Sequence, residues 1–197
     1  MSFFSPAEAT DLTLPSTHPR RRFLGQSGTL LSGVAVALLA GNDALAAKSG
    51  AAAHQGDIAI LNSALAAELE AIAAYQLGAE SGLLTRPVLD LAVVFQGHHK
   101  EHAGVLAQTI GKLGGKAVVA KTAYGFPADT LKSQADVLRF AAQLEQGAVS
   151  AYLGAVPLFG NRDLAKAAAS ILGDEAMHLA VLRQALGEAP VPSAFMV

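Results

Sequence analysis

The sequence predicts an all-α domain of four helices, arranged as a bundle of two antiparallel hairpins joined by a long crossover loop. Three observations point there. Alanine supplies 41 of the 197 residues, and alanine and leucine are among the strongest helix formers. Apolar residues recur with the 3.6-residue period of a helix surface. The breaks between the periodic stretches are short, long and short in that order, which pairs the first two helices and the last two. Hydrophobic residues make up 52% of the chain and charged residues 15%, too apolar a balance for disorder. The absence of cysteine excludes disulfides, iron–sulfur clusters, thiolate metal sites and cysteine nucleophiles. A net charge of −2 offers no basic field for nucleic acid or an anionic membrane.

Residues 1–46 read as an export signal. A polar start leads to Arg20-Arg21-Arg22-Phe23-Leu24, an apolar run from Thr29 to Ala40, and the small-residue pattern Ala44-Leu45-Ala46. These are the charged region, apolar region and cleavage site of a signal peptide. The run falls short of the roughly 20 residues that span a bilayer. No stable membrane anchor is therefore expected after cleavage. Arg-Arg-x-Phe-Leu at 20–24 resembles the twin-arginine signal, which carries already folded proteins. The resemblance implies a periplasmic or extracellular destination.

The remaining chain divides into an N-terminal segment (47–57), the helical bundle (58–187) and a tail (188–197). Asp57 can cap a first helix from Ile58 to about Ser81, before Gly82. Pro87 suits the first turn of a second helix, which runs to Leu113 and stops at Gly114-Gly115. A third helix is expected from about Thr130 to Val156, with Ser133 and Asp136 spaced as a capping box. Pro157 and Gly160 break it. Asn161 can cap a fourth helix that ends at Gly187, and Pro190 and Pro192 stop the tail from extending it. A 25-residue helix is ~37 Å long, whereas 14 extended residues reach ~46 Å. The loop at 116–129 can therefore cross the whole bundle.

Polar residues inside the apolar stripes carry the chemistry. The first helix presents Leu61, Leu65, Ile72 and Tyr75, with Glu68 among them. The third presents Leu138, Ala141, Val149 and Tyr152, with Glu145 among them. A carboxylate buried in such a stripe costs several kcal/mol unless it is paired or bound to a metal. The fourth helix carries Glu175-Ala176-Met177-His178, whose Glu and His project from one side. The second carries His98-His99-Lys100-Glu101-His102. The two halves repeat. Glu68 precedes Tyr75 by seven residues and Glu145 precedes Tyr152 by seven; the offset between halves is 77 residues for the Glu pair and 76 for His102 and His178.

On the stretches Leu61-Asn62-Ser63-Ala64-Leu65-Ala66-Ala67-Glu68 and Glu175-Ala176-Met177-His178-Leu179-Ala180-Val181-Leu182, and on the repeat, the chain resembles the ferritin-like family, in particular its exported bacterial members. The resemblance covers about residues 58–187. It implies a pair of iron or manganese ions held by a Glu from each of two helices and a Glu-x-x-His from each of the other two. Glu68 and Glu145 would then be terminal carboxylates, Glu175 a bridge, and His102 and His178 one ligand each.

One position departs from that pattern. Three residues before His102 the family has Glu, and this chain has His99. On a helical wheel His99 lies ~60° from His102, on the side that Glu175 takes relative to His178, whereas Glu101 lies ~100° away on the other side. His98, within ~40° of His102, could be a ligand or stand behind one. Tyr75 and Tyr152 are expected to bond to the ligand carboxylates from behind. The candidate ligands are thus Glu68, His99, His102, Glu145, Glu175 and His178. A dinuclear iron or manganese site, a mixed or mononuclear site, and zinc or copper drawn by the extra imidazole all fit this set. A metal-free bundle whose carboxylates pair with the histidines fits as well.

Two functions follow as expectations. One is a redox metalloprotein that oxidises Fe(II) or reduces peroxide or oxygen; without cysteine pairs its electron donor would be external. The other is a structural or stress-protective protein that keeps the fold without the chemistry. Alanine-rich faces suit packing within the bundle and packing in a homo-oligomer alike.

Overall fold

The computed structural model describes residues 51–196; the expected signal peptide at 1–46 lies outside them. Among the described residues there are four α-helices and two short 3₁₀ turns. The helices are α1 (Ala51–Glu80), α2 (Arg86–Lys112), α3 (Gln134–Ala155) and α4 (Arg162–Ala185). α1 packs chiefly on α2, and α3 chiefly on α4; α1 and α3 make a thinner contact. The all-α four-helix bundle is therefore the fold, with the crossover running from the end of α2 to the start of α3.

Most helix ends fall where the punctuation puts them. Pro87 occupies the first turn of α2. Gly114, with φ +78°, supplies the left-handed residue that lets the chain turn off that helix without steric cost. Ser133 Oγ caps α3 by accepting the Asp136 N–H at 3.3 Å, and Asn161 Oδ1 caps α4 by accepting the Asp163 N–H at 2.8 Å. α3 begins at Gln134 rather than near Thr130, because residues 128–130 form a separate 3₁₀ turn.

Asp57 differs from the sequence reading. α1 already starts at Ala51, so Asp57 lies inside the helix and caps nothing of its own. Three successive alanines, the best helix formers, extend the helix backward. Asp57 is 1% exposed and reaches across the chain. Its carboxylate accepts the N–H of Gly160 at 2.8 Å and of Asn161 at 3.1 Å, tying α1 to the turn before α4. The crossover is tied down in a similar way. The Asn62 side chain donates to the Lys116 carbonyl at 3.1 Å and accepts the Val118 N–H at 2.8 Å.

The core has two apolar clusters. One gathers Leu61, Leu65, Leu106, Ile110, Leu164 and Ile171. The other gathers Tyr75, Phe95, Leu138 and Leu182. Over Gln55–Glu80, α1 is long and apolar enough to cross a membrane by length and composition alone. Its buried face nevertheless carries Asp57 and Glu68, and it is spent on the bundle. Between the two clusters lies a layer of buried Glu and His.

Candidate metal centre

Every helix contributes to the polar layer. Glu68 comes from α1, His99 and His102 from α2, Glu145 from α3, and Glu175 and His178 from α4. Glu68, His99, Glu145, Glu175 and His178 are each no more than 2% exposed, and the His102 side chain is 14% exposed. The 3.6-residue period explains this. Each of these side chains occupies a core position on its own helix, so closing the bundle brings them together.

They form two adjoining groups. Glu68, His99, His102 and Glu175 each offer a ligand atom within 4.8 Å of the others, and so do His99, Glu145, Glu175 and His178. Glu175 and His99 belong to both. His102 Nδ1 lies 3.1 Å from Glu175 Oε1, and His178 Nδ1 lies 3.3 Å from Glu175 Oε2. These are ion-pair separations without hydrogen-bond alignment. His102 Nδ1, His178 Nδ1, both Glu175 oxygens and Glu145 Oε2 are buried and have no hydrogen-bond partner. Buried polar atoms are rarely left so, and five in one place call for a further ligand. Their chemistry, carboxylate oxygen and imidazole nitrogen, suits a divalent metal such as iron, manganese or zinc. The residues present therefore fit a bound metal ion.

The tyrosines stand behind the carboxylates in a crossed arrangement. Tyr152 on α3 donates to Glu68 Oε1 at 2.6 Å, and Tyr75 on α1 donates to Glu145 Oε1. Burial and the neighbouring carboxylate charges hold both hydroxyls protonated, well above the usual tyrosine range.

His99 stands between two of the carboxylates. Its Nδ1 lies 2.8 Å from Glu68 Oε2 and its Nε2 lies 3.3 Å from Glu145 Oε1. One ring thus joins a carboxylate from each of the two hairpins.

Burial opposes every charge in this layer, and pairing overcomes it. Hydrogen bonds and charge from Glu145 and Glu68 raise His99 to about 10. Asp174, Glu175 and Glu68 raise His102 to about 12. Glu145 and Glu175 raise His178 to about 9. Glu68 is lowered to about 2 by His102 and His99, and Glu145 is held well below the usual carboxylate range by His178 and His99. Glu175 is raised, by burial first and by the charge of Glu68, so it is the last of these carboxylates to ionise. Metal binding has to displace protons from the imidazoles.

A residue the sequence reading missed completes the layer. Asp174 Oδ2 lies 3.4 Å from His102 Nε2, 3.4 Å from His178 Nε2 and 3.2 Å from His98 Nδ1. It faces the outer nitrogens of the two histidines whose inner nitrogens are unpartnered. A ligand histidine needs such a partner, because the proton held on one nitrogen leaves the other free for metal. Its spacing of four from His178, on the same helix face, was the available signal. His98 also lies here, with Nδ1 2.8 Å from His178 Nε2, while Phe95 stacks on the His178 ring at 4.0 Å between centroids. Glu101 is exposed and stays outside the layer.

The sequence profile of the ferritin-like domain matches residues 56–188. The chain belongs to the ferritin-like domain family. This ferritin-like protein also resembles a solved structure, the crystal structure of the conserved hypothetical protein rv2844 from Mycobacterium tuberculosis. The two are 25% identical and superpose with a TM-score of 0.63, over 73% of this chain and 99% of that one. No curated protein sequence gives a significant match. The ferritin-like fold and a buried His/Glu cluster able to hold metal are thus features of this chain.

Proposed function

We propose that this ferritin-like protein is an exported redox metalloprotein. Its centre would hold two divalent ions, iron or manganese first, and would act in Fe(II) oxidation or in the reduction of peroxide or oxygen. The observation that carries this reading is the convergence of five unpartnered buried ligand atoms within two groups that share Glu175. A bound metal pair would supply the electron-transfer chemistry. The chain supplies the rest. Glu68, Glu145 and Glu175 neutralise cationic charge, Tyr75 and Tyr152 fix two of those carboxylates, and Asp174 fixes the histidine tautomers. Glu68, Glu145 and Glu175 are each no more than 2% exposed, and burial strengthens each electrostatic contact. An electron donor or acceptor would be external. Arg20-Arg21-x-Phe23-Leu24 supports twin-arginine export and a periplasmic location in a bacterium.

Anaerobic addition of Fe(II) to the metal-free full chain, followed by oxygen or peroxide, tests the reading. Oxidation of bound Fe(II) faster than in protein-free buffer is expected, and its loss in Glu175→Ala. A rate equal to that of buffer would overturn the redox assignment.

A second reading rests on His99. With the His99 ring against both Glu68 and Glu145, three imidazolium and three carboxylate charges (Glu68, Glu145 and Asp174) can balance without metal. The protein would then be a metal-free ferritin-like scaffold with a structural or stress-protective role. A melting temperature indifferent to added metal would favour that reading, because a ligand of the native state must stabilise it.

A further inference from the structure

The buried centre leaves one cluster at its solvent-facing edge unassigned. His98 on α2 and Asp174 on α4 stand 76 residues apart, the same offset as His102 and His178. The internal repeat therefore generates both pairs, and closing the bundle brings His98 and Asp174 together beside His178. Each of these three offers one ligand atom within 4.8 Å of the others, and His98 belongs to neither of the buried groups.

The spacing is that of donors around one ion. Asp174 Oδ2 lies 3.2 Å from His98 Nδ1 and 3.4 Å from His178 Nε2, and the two ring nitrogens lie 2.8 Å apart. Ligand atoms ~2.0–2.2 Å from a metal stand ~2.8–3.6 Å from one another, across octahedral and tetrahedral arrangements. All three separations fall in that range. The two to Asp174 exceed the ~2.7–2.9 Å of a charge-assisted hydrogen bond, so the carboxylate is closed onto neither ring.

Exposure and donor chemistry define the occupant. The side chains of His98 and Asp174 are 36% and 21% exposed, against 2% for His178. The cluster is thus open to water on one side and anchored on the other, where Phe95 stacks on the His178 ring. An ion there keeps coordination positions for water. Two imidazoles and one carboxylate with open positions suit Zn(II) and Fe(II). Ca(II) and Mg(II) take oxygen ligands instead.

His178 faces both sites. Its Nδ1 lies 3.4 Å from Glu145 Oε1 and 3.3 Å from Glu175 Oε2, while its Nε2 faces His98 and Asp174. A neutral imidazole has one nitrogen free to bind and one that carries the proton, so the ring serves one side at a time. The outer set is complete while the proton sits on Nδ1, facing the two buried carboxylates.

We propose that His98, Asp174 and His178 form an outer site for a single divalent transition-metal ion, Zn(II) or Fe(II), which the His178 ring holds in alternation with the buried centre. Its two partly exposed ligands put that ion in exchange with solvent. The alternation rests on the metal centre proposed above; binding at the outer site does not, and it requires no redox chemistry.

The test uses Zn(II) and the metal-free full chain carrying Glu175→Ala, which removes the carboxylate common to both buried groups. Glu175→Gln, which keeps the side-chain volume, replaces it if helicity is lost. One Zn(II) per chain is expected in competition with a metal-sensitive dye. Adding His98→Ala should weaken that binding at least ~10-fold, since the loss of even a partner behind a ligand costs that much. Adding Glu101→Gln, on the same helix and exposed, should leave it unchanged. Nitrogen NMR of the histidine rings should show His98 Nδ1 bound to metal. Zn(II) binding indifferent to His98→Ala would assign the ion to the remaining buried ligands; it would overturn the proposal and leave the metal pair standing. No Zn(II) bound by either Glu175 variant would overturn it as well. A parent chain that takes up one ion, and loses it with His98→Ala, would remove the metal-pair reading and support the outer site.

Discussion

Tyr152 on α3 donates its hydroxyl hydrogen to Glu68 on α1 at 2.6 Å, and Tyr75 on α1 makes the reciprocal bond to Glu145 on α3. Two residue pairs seven positions apart generate this crossing. Seven residues are nearly two turns, so Glu and Tyr share one face of their helix, ~10 Å apart along its axis. Running α1 and α3 antiparallel then sets each Tyr level with the other helix's Glu. The internal repeat becomes a pair of clamps between α1 and α3, whose contact is otherwise thin.

Removing either clamp leaves a buried carboxylate oxygen short of a donor. Tyr152→Phe and Tyr75→Phe should each destabilise the metal-free protein by about 1–3 kcal/mol. Tyr124→Phe, in the exposed crossover, should cost no more than about 0.5 kcal/mol. Urea unfolding followed by circular dichroism checks this. Equal small effects at all three tyrosines would mean the clamps contribute nothing.

The charge pattern fixes a pH dependence. His99, His102 and His178 are raised above 6.5, to about 10, 12 and 9. Their contribution is complete below pH 6.5, where the unfolded histidines are also protonated, and drains as pH rises toward 9 and beyond. Glu68, lowered from 4.5 to about 2, contributes above pH 4.5 and loses that as pH falls toward 2. The metal-free melting temperature should therefore peak between about pH 4.5 and 6.5 and fall by pH 9. Metal affinity should run the other way, because imidazole binds metal only when deprotonated. Melting curves from pH 4 to 9, with and without Mn(II), separate the two trends; a metal-free curve flat from pH 6.5 to 9 would contradict the charged network.

Asp174→Asn keeps the size of the side chain and removes its charge. The fold should persist, and metal affinity should drop about 10–100-fold, the usual effect of losing the partner behind a ligand histidine. Competition titration with a metal-sensitive dye measures it. An unchanged affinity would make Asp174 a bystander.

His99→Glu restores the carboxylate that the ferritin-like pattern has at this position. It replaces a cation with an anion among Glu68, Glu145 and Glu175. The metal-free protein should melt lower than the parent, and added Mn(II) should raise its melting temperature by more than it raises the parent's. A variant as stable as the parent without metal would show that His99 balances no charge there.

Much of this was legible because local signals and the global fold agree. Pro87, Gly114, Ser133 and Asn161 punctuate the chain where the helices begin and end, and Glu68, Glu145 and His178 interrupt the apolar stripes they belong to. Asp57 was misread because a helix cap and a mid-helix acid look alike in sequence. Its partners, Gly160 and Asn161, lie more than a hundred residues away. Asp174 was hidden beside the stronger Glu175-x-x-His178 pattern. The thin contact between α1 and α3 has no sequence signature, since alanine and glycine at a seam serve close packing as readily as an open one. Only the distance between helices decides.

The most direct test of the account is metal binding by the centre. The full chain should be stripped of metal, titrated anaerobically with Fe(II) and separately with Mn(II), and analysed for metal per chain after removal of excess. Two ions per chain are predicted for the parent, with loss of that stoichiometry in Glu175→Ala while its helicity is retained. No metal taken up by the parent, or full stoichiometry in Glu175→Ala, would contradict the assignment.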